Sequence, residues 1–251
     1  MRHKLLFLPF LVAVIGLSLI GQRGSVDAAG SLPLPQLSGP VVVELFTSQS
    51  CSSCPPADKV LVEFATHANI IAIGCHVTYW DHLNWRDTLS HDFCTSRQRA
   101  YARQLRKKQV YTPQMVVNGM DEFVGSNRAR ALSALTTGTV QPIELSHIKD
   151  EDTLIATLPA LTGGPNLQTL WLLRLQPRHT QAIKSGENRG AMITYVNSVE
   201  TLRQIGTWSG RAQTLTLPVG KGETENPGYV LIAQPRGFGP ISAAGQLKPK
   251  S

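Results

Sequence analysis

Residues 41–54 read VVVELFTSQSCSSC, and this stretch decides the fold. Val41 to Phe46 is a short apolar run rich in β-branched residues, the pattern of a strand buried on both faces. Ala57 to Ala68 has helical character, and Ile70 to Val77 (IIAIGCHV) is a second buried run. Strand, helix and strand within one short stretch predict a βαβ unit with parallel strands. Cys51-Ser52-Ser53-Cys54 falls at the turn from the first strand into the helix. The carboxyl ends of parallel strands are where open α/β sheets place their sites.

The pattern extends outward on both sides. Ser90 to Lys108 predicts a long helix capped by Ser90 or Asp92, with Phe93, Cys94, Tyr101 and Leu105 toward the core. After Thr112-Pro113 come a strand from Gln114 to Val117, an Asn118-Gly119 turn, a returning strand from Glu122 to Gly125, and a helix from Asn127 to Leu135. From Pro142 the texture changes to short strand-like runs: IELSHI, TLIATL, LQTLWLLRL, HTQAIK, AMITYVNSV, AQTLTLPV and GYVLIAQ. The expected fold class is α/β over residues 41–138, followed by a smaller all-β, sandwich-like domain over residues 141–251.

The opposite end carries a targeting pattern. Arg2, His3 and Lys4 precede the apolar run Leu5 to Ile20, and small residues follow near Ala28. This is a signal-peptide pattern for residues 1–28, with residues 29–40 as a linker. Retention as an anchor is the alternative, although the run is short for a span and contains Pro9. The expected location is the periplasm or outside the cell, with no membrane span left after cleavage. Cleavage removes Arg2, Lys4, Arg23 and Asp27 and takes the formal charge from +7 to +5. The cluster Arg97, Arg99, Arg103, Arg106, Lys107 and Lys108 then reads as a solvated helix face, and no nucleic-acid partner is expected. A hydrophobic fraction of 42% excludes wholesale disorder.

Two cysteines three apart can close a small disulfide ring and reopen it. A thiolate at a helix N-terminus is favoured by unpaired N–H groups and the helix dipole. Cys51 is the expected attacking sulfur and Cys54 the resolving one. A static disulfide and half of a zinc site compete with this reading. Zinc needs a second ligand pair, which Cys75 and Cys94 do not form, so no metal is expected. Four cysteines allow three pairings; Cys75–Cys94 is one candidate bridge, and two small buried hydrophobes are the alternative. Thr112-Pro113, just before a strand, suits a cis peptide that would leave the Thr112 backbone free to pair with an extended substrate.

The loop Thr78 to Leu89 leaves the second parallel strand and should lie near the CxxC rim. Tyr79, Trp80, Asp81 and His82 are candidates for a wall facing a substrate, while Trp80 and Trp85 read first as structural plugs for the sheet end or the contact between domains. His76 and His82 raise a copper-binding alternative with the two cysteines. Ser185 to Gly190 (SGENRG) reads as a charged surface turn.

VVVELF, CSSC and VYTPQMVVNG–DEFVG together resemble the thioredoxin superfamily over residues 41 to about 138. With TYWDHLNWRD, RQRAYARQL and SGENRG, the chain resembles a narrower group of exported bacterial thioredoxin-like proteins catalogued as a domain of unknown function. The resemblance implies Cys51 as nucleophile, Cys54 as resolving thiol, Pro113 as a cis proline, and Glu44 as a buried acid that moves the proton of the inner cysteine. A buried carboxylate there would have a raised pKa. The alternative leaves Glu44 in solvent or locally paired. Pro55 and Pro56, directly after Cys54, depart from the pattern and delay the helix start. The implied activity is thiol–disulfide exchange on protein or small-molecule thiols, without a cofactor. A non-enzymatic binding module is the competing reading.

Overall fold

In a computed structural model of the chain, residues 33–147, 153–163, 166–219, 222 and 224–249 are described. The predicted signal peptide and residues 29–32 of the predicted linker lie outside them.

Two strands sit at the centre, β1 (Val41–Thr47) and β2 (Ile70–His76). They pair in parallel, Val41 with Ile70 through Thr47 with His76. Every residue of both is buried, which is why their sequences run apolar instead of alternating. The crossover is helix α1 (Pro55–Phe64), which lays Ala57, Val60, Leu61 and Phe64 against Val41, Val43 and Leu45. Helix α2 (Asp92–Gln104) covers the opposite face, where Cys94 and Tyr101 meet Val42, Phe46, Ile71 and Ile73. It starts from His91, without the side-chain cap expected from Ser90 or Asp92. It also stops short of Lys108, where Arg106 adopts a left-handed φ of 54°. Strands β3 (Gln114–Val117) and β4 (Asp121–Val124) form the expected hairpin, and helix α3 (Arg128–Leu135) follows, with Asn127 accepting from the Arg130 N–H at its start.

The second half contributes β5 (Gln141–Pro142), β6 (Glu144–His147), β7 (Thr153–Leu158), β8 (Gln168–Gln176), β9 (His179–Ala182), β10 (Met192–Tyr195), β11 (Ser198–Trp208), β12 (Gln213–Pro218), β13 (Gly228–Pro235) and β14 (Ala243–Leu247). The predicted boundary near residue 140 does not divide the structure. A nine-stranded sheet runs β4-β3-β1-β2-β11-β8-β13-β14-β5, and the described residues from Leu34 onward form one compact unit. The joint is a parallel pairing of Gly74 on β2 with Ser198 on β11. A single core cluster joins Ile71, Ile73 and Val77 from the first half to Leu173, Leu175, Val230 and Ile232 from the second. The sandwich-like part exists as the three-stranded sheet β12-β7-β6, whose Leu154, Ala156 and Leu158 pack on Leu170, Leu172 and Leu231.

Three strands escaped the sequence reading: β5, which is only two residues long, β11 and β14. Only the first residues of β11 fell within a predicted run, because much of the strand is partly or fully exposed and polar. β14 is AAGQL, with little β-propensity; its fit is decided by close approach, since a Cβ on Gly245 would lie 2.0 Å from the Ile143 carbonyl oxygen. The hairpin β9–β10 stands apart from both larger sheets.

Candidate functional site

Cys51 and Cys54 are bonded to each other, their Cα atoms 5.4 Å apart, between the end of β1 and the first turn of α1. Cys54 is the N-cap, with Pro55 and Pro56 in the first turn. Neither proline has an N–H, and the next two donors, Ala57 and Asp58, both bond the Cys54 carbonyl at 2.8 and 3.1 Å. The opening turn therefore has no backbone donor left for a Cys51 thiolate. The nearby hydroxyl of Ser53, 3.4 Å from Cys51 Sγ, is the donor at hand. Ser52 and Ser53 are exposed, yet Cys51 is 2% exposed and Cys54 fully buried.

A cluster of buried polar groups lies at the same sheet end. Asp58 follows Cys54 by one helical turn and accepts from Thr47 Oγ1 at 2.9 Å. Burial pushes its carboxyl up from 3.8 to about 7, against the opposing pull of His76 and the Thr47 hydroxyl. His76, the last residue of β2, meets Asp87 through Nδ1 at 2.7 Å. Burial works against the charged imidazole, but the charge and hydrogen bond of Asp87, with Asp58 and Asp81 behind, outweigh it and raise its pKa. Asp87 is held down in turn: burial opposes ionisation, while His76 and the Gln49 and Leu89 N–H groups favour it more. The Tyr195 ring packs edge-on against His76 at 4.8 Å. Among the described residues, Asp58 Oδ2, His76 Nε2 and the Tyr195 hydroxyl have no hydrogen-bond partner, although all three are buried. The group can hold and exchange a proton within one helical turn of Cys54.

The predicted site residues fall into three places. The Thr112–Pro113 peptide is cis. The antiparallel register that sets Phe46 opposite Gln114 puts Pro113 across from Thr47, at the sheet end where Cys51 sits. Thr112 Oγ1 accepts from Trp80 Nε1 at 2.8 Å, and Trp85 Nε1 donates to Gln49 Oε1 at 2.8 Å, so both tryptophans tie the loop to the sheet end. Tyr79 packs on the α2-side core, Asp81 accepts from the Asp87 N–H and Ser90, and His82 is exposed. Glu44 lies on the other face of β1 from the Leu45 and α1 contacts. It is ion-paired with Arg97 and bonded by Tyr101, deep against α2. Arg97 is thus buried and belongs to no solvated face. Cys75 and Cys94 are bonded, Cα atoms 5.3 Å apart, tying β2 to α2. No cluster of three or more His, Cys, Asp or Glu side chains among the described residues has the arrangement to hold a metal.

Three site residues escaped the sequence reading. Asp58 carried a signal, since its four-residue spacing from Cys54 puts both on one helix face. Asp87 carried none beyond its place in a polar loop. Asn188, in the segment read as a surface turn, is buried and donates from Nδ2 to the Gln49 and Cys51 carbonyls at 2.8 and 2.9 Å. It lies 137 residues from Cys51, and no local pattern links them.

A protein from Agrobacterium tumefaciens with a crystal structure is similar, with TM-score 0.73 and 26% identity over 86% of this chain and 97% of that one. HBP35 of Porphyromonas gingivalis aligns at TM-score 0.49 and 14% identity over 86% of this chain and 78% of that one. No curated protein matches the chain. Residues 42–234, which include both disulfides, Asp58, His76, Asp87 and Asn188, match the family described as "Protein of unknown function (DUF1223)", and the chain belongs to that family.

Proposed function

We propose that the protein is an exported thiol–disulfide oxidoreductase of thioredoxin-like fold, acting on protein or small-molecule thiols through Cys51 and Cys54. The observation that carries the reading is the Cys51–Cys54 ring on the opening turn of α1, with the carboxyl of Asp58 one turn behind it. The strand order β4-β3-β1-β2, the crossover α1 and the position of Pro113 at the same sheet end support it.

In the forward step an incoming thiolate attacks Cys51 Sγ. The Cys51–Cys54 bond breaks, a mixed disulfide forms, and Cys54 departs as a thiolate. Asp58, neutral below about pH 7, is a proton source for that thiolate, and a second substrate thiolate then attacks the mixed disulfide to release the oxidised product and the Cys51 thiolate. In the opposite direction, where the Cys51 thiolate has attacked a substrate disulfide, the Asp58 carboxylate takes the proton of Cys54 as Cys54 attacks Cys51 Sγ and the substrate leaves as a thiolate. The residual charge falls near the His76–Asp87 pair. Glu44 is committed to Arg97 and Tyr101, so the proton role fits Asp58 better.

One observation favours a static bridge: Cys51 is 2% exposed. Insulin reduction and oxidative refolding separate the two readings. The expected result is activity in the full chain that disappears in Cys51→Ser; equal activity in the variant ends the oxidoreductase reading.

A further inference from the structure

Chain from the far half of the molecule reaches the backbone of the buried Cys51. Residues 183–191 connect β9 to β10 and close tightly on themselves: Ile183 N–H donates to Ala191 O, Gly190 N–H to Ile183 O, and Ala191 N–H to Asn188 O. Gly186 and Gly190 take φ of 77° and 85°, which glycine adopts without a Cβ penalty. Gly186 also lies so close to Trp85 that a Cβ would sit 3.2 Å from the Trp85 Cβ. At the tip, both hydrogens of the Asn188 amide are used, one on the Gln49 carbonyl and one on the Cys51 carbonyl. Ser185 Oγ adds a bond to the Asn84 carbonyl.

The hairpin is built as a separable piece. Its strands pair only with each other. Its core is small: Ile183, Ile193 and Tyr195, with Trp85, Leu89 and Ala191 partly buried beside them. β10 also lies against α1, and Tyr195 against His76, but a short ladder outside both larger sheets marks the kind of segment that opens on its own.

We propose that the β9–β10 hairpin is a flap over the disulfide, latched by Asn188, and that a thiol reaches Cys51 only when the latch is released. The inference rests on the exchange reading above and extends it to the kind of partner. Release leaves the Gln49 carbonyl without the Asn188 donor and the Cys51 carbonyl with the Cys54 N–H alone, at 3.2 Å, both beside the reactive sulfur. Amide N–H groups satisfy them in the geometry Asn188 now uses, so the flap stands in for a peptidyl thiol. That partner's thiolate attacks Cys51 Sγ, the Cys51–Cys54 bond breaks, and Cys54 leaves as the thiolate.

The test follows reduction of the oxidised full chain by dithiothreitol, with timed alkylation and mass spectrometry reading each bridge separately. Asn188→Ala should speed reduction of Cys51–Cys54 about tenfold, the scale of two net hydrogen bonds lost. Ser185→Ala, which removes one bond farther from the sulfurs, should give about threefold. The Cys75–Cys94 bridge should keep its rate in both. Unchanged Cys51–Cys54 rates in both variants overturn the flap, as does equal acceleration of the two bridges, which signals general loosening. In Asn188→Ala, a cysteinyl peptide should react faster than 2-mercaptoethanol at matched thiolate concentration; equal rates overturn the peptidyl partner. The flap test reads access alone. Faster reduction without insulin-reducing activity would leave the flap standing and remove the oxidoreductase reading.

Discussion

Asp58 shows how one buried side chain links the site to stability. Its carboxyl belongs to a chain of neighbours: Thr47 on β1, His76 on β2, Asp87 in the following loop and Tyr195 on β10. Burial makes the charged form costly, so its folded pKa of about 7 lies above the ordinary 3.8. A raised carboxylate pKa contributes stability that is fully present below about pH 3.8, declines as pH climbs, and is gone above about pH 7. Asp58→Asn removes that dependence. By chemical denaturation, the variant should match the wild type near pH 4 and exceed it near pH 8. The difference is of order 4 kcal/mol at most, at roughly 1.4 kcal/mol for each tenfold step in acidity. A gap that does not change with pH would mean that Asp58 does not titrate in this range. Removing Asp58 also takes one favourable charge from His76, so part of the gain returns as a weaker His76–Asp87 pair.

At the scale of elements, the joint between β2 and β11 is the narrowest point of the large sheet. One pair, Gly74 and Ser198, carries the pairing. A Cβ on Gly74 would sit 3.2 Å from the Val196 carbonyl oxygen and 3.7 Å from both Ser198 Cα and Leu61 Cδ2. The space admits no branched side chain without moving backbone. Gly74→Val should therefore cost about 1–3 kcal/mol, as overpacking in a dense core does. The loss is read by denaturant unfolding at fixed pH, and a neutral variant would show that the two strands part easily. The start of α1 makes a complementary point. Pro55 and Pro56 set the first turn, and the two donors that follow are spent on Cys54, so the helix end holds the disulfide ring without offering it a free N–H.

For the whole molecule, the decisive fact is that the two halves share one sheet and one core. Ile71, Ile73 and Val77 are covered partly by Leu173, Leu175, Val230 and Ile232 from beyond residue 140. A chain ending at residue 140 would expose this face and the open edge of β2. It should fail to give a cooperative unfolding transition and should self-associate, as circular dichroism and light scattering would report; a folded monomer would mean that the first half is self-sufficient. Much of this architecture was legible in one dimension. Fully apolar β-branched runs mark β1 and β2, a helix-period segment between them marks the crossover, and CSSC at its start marks the site, because local pattern and local geometry coincide there. The predicted break near residue 140 was a true change of texture, from mixed elements to strands alone, but texture does not say which strand edges meet. The same holds for the polar cluster and the flap. Asp58, His76 and Asp87 come from three elements, and Asn188 meets Cys51 across 137 residues. Periodicity reports which face of an element is buried, and it decided the elements and the sulfur pair. Which buried polar groups satisfy one another depends on non-local packing, and only the folded chain decided that Asn188, in a hairpin from the far half, bonds the backbone of Cys51.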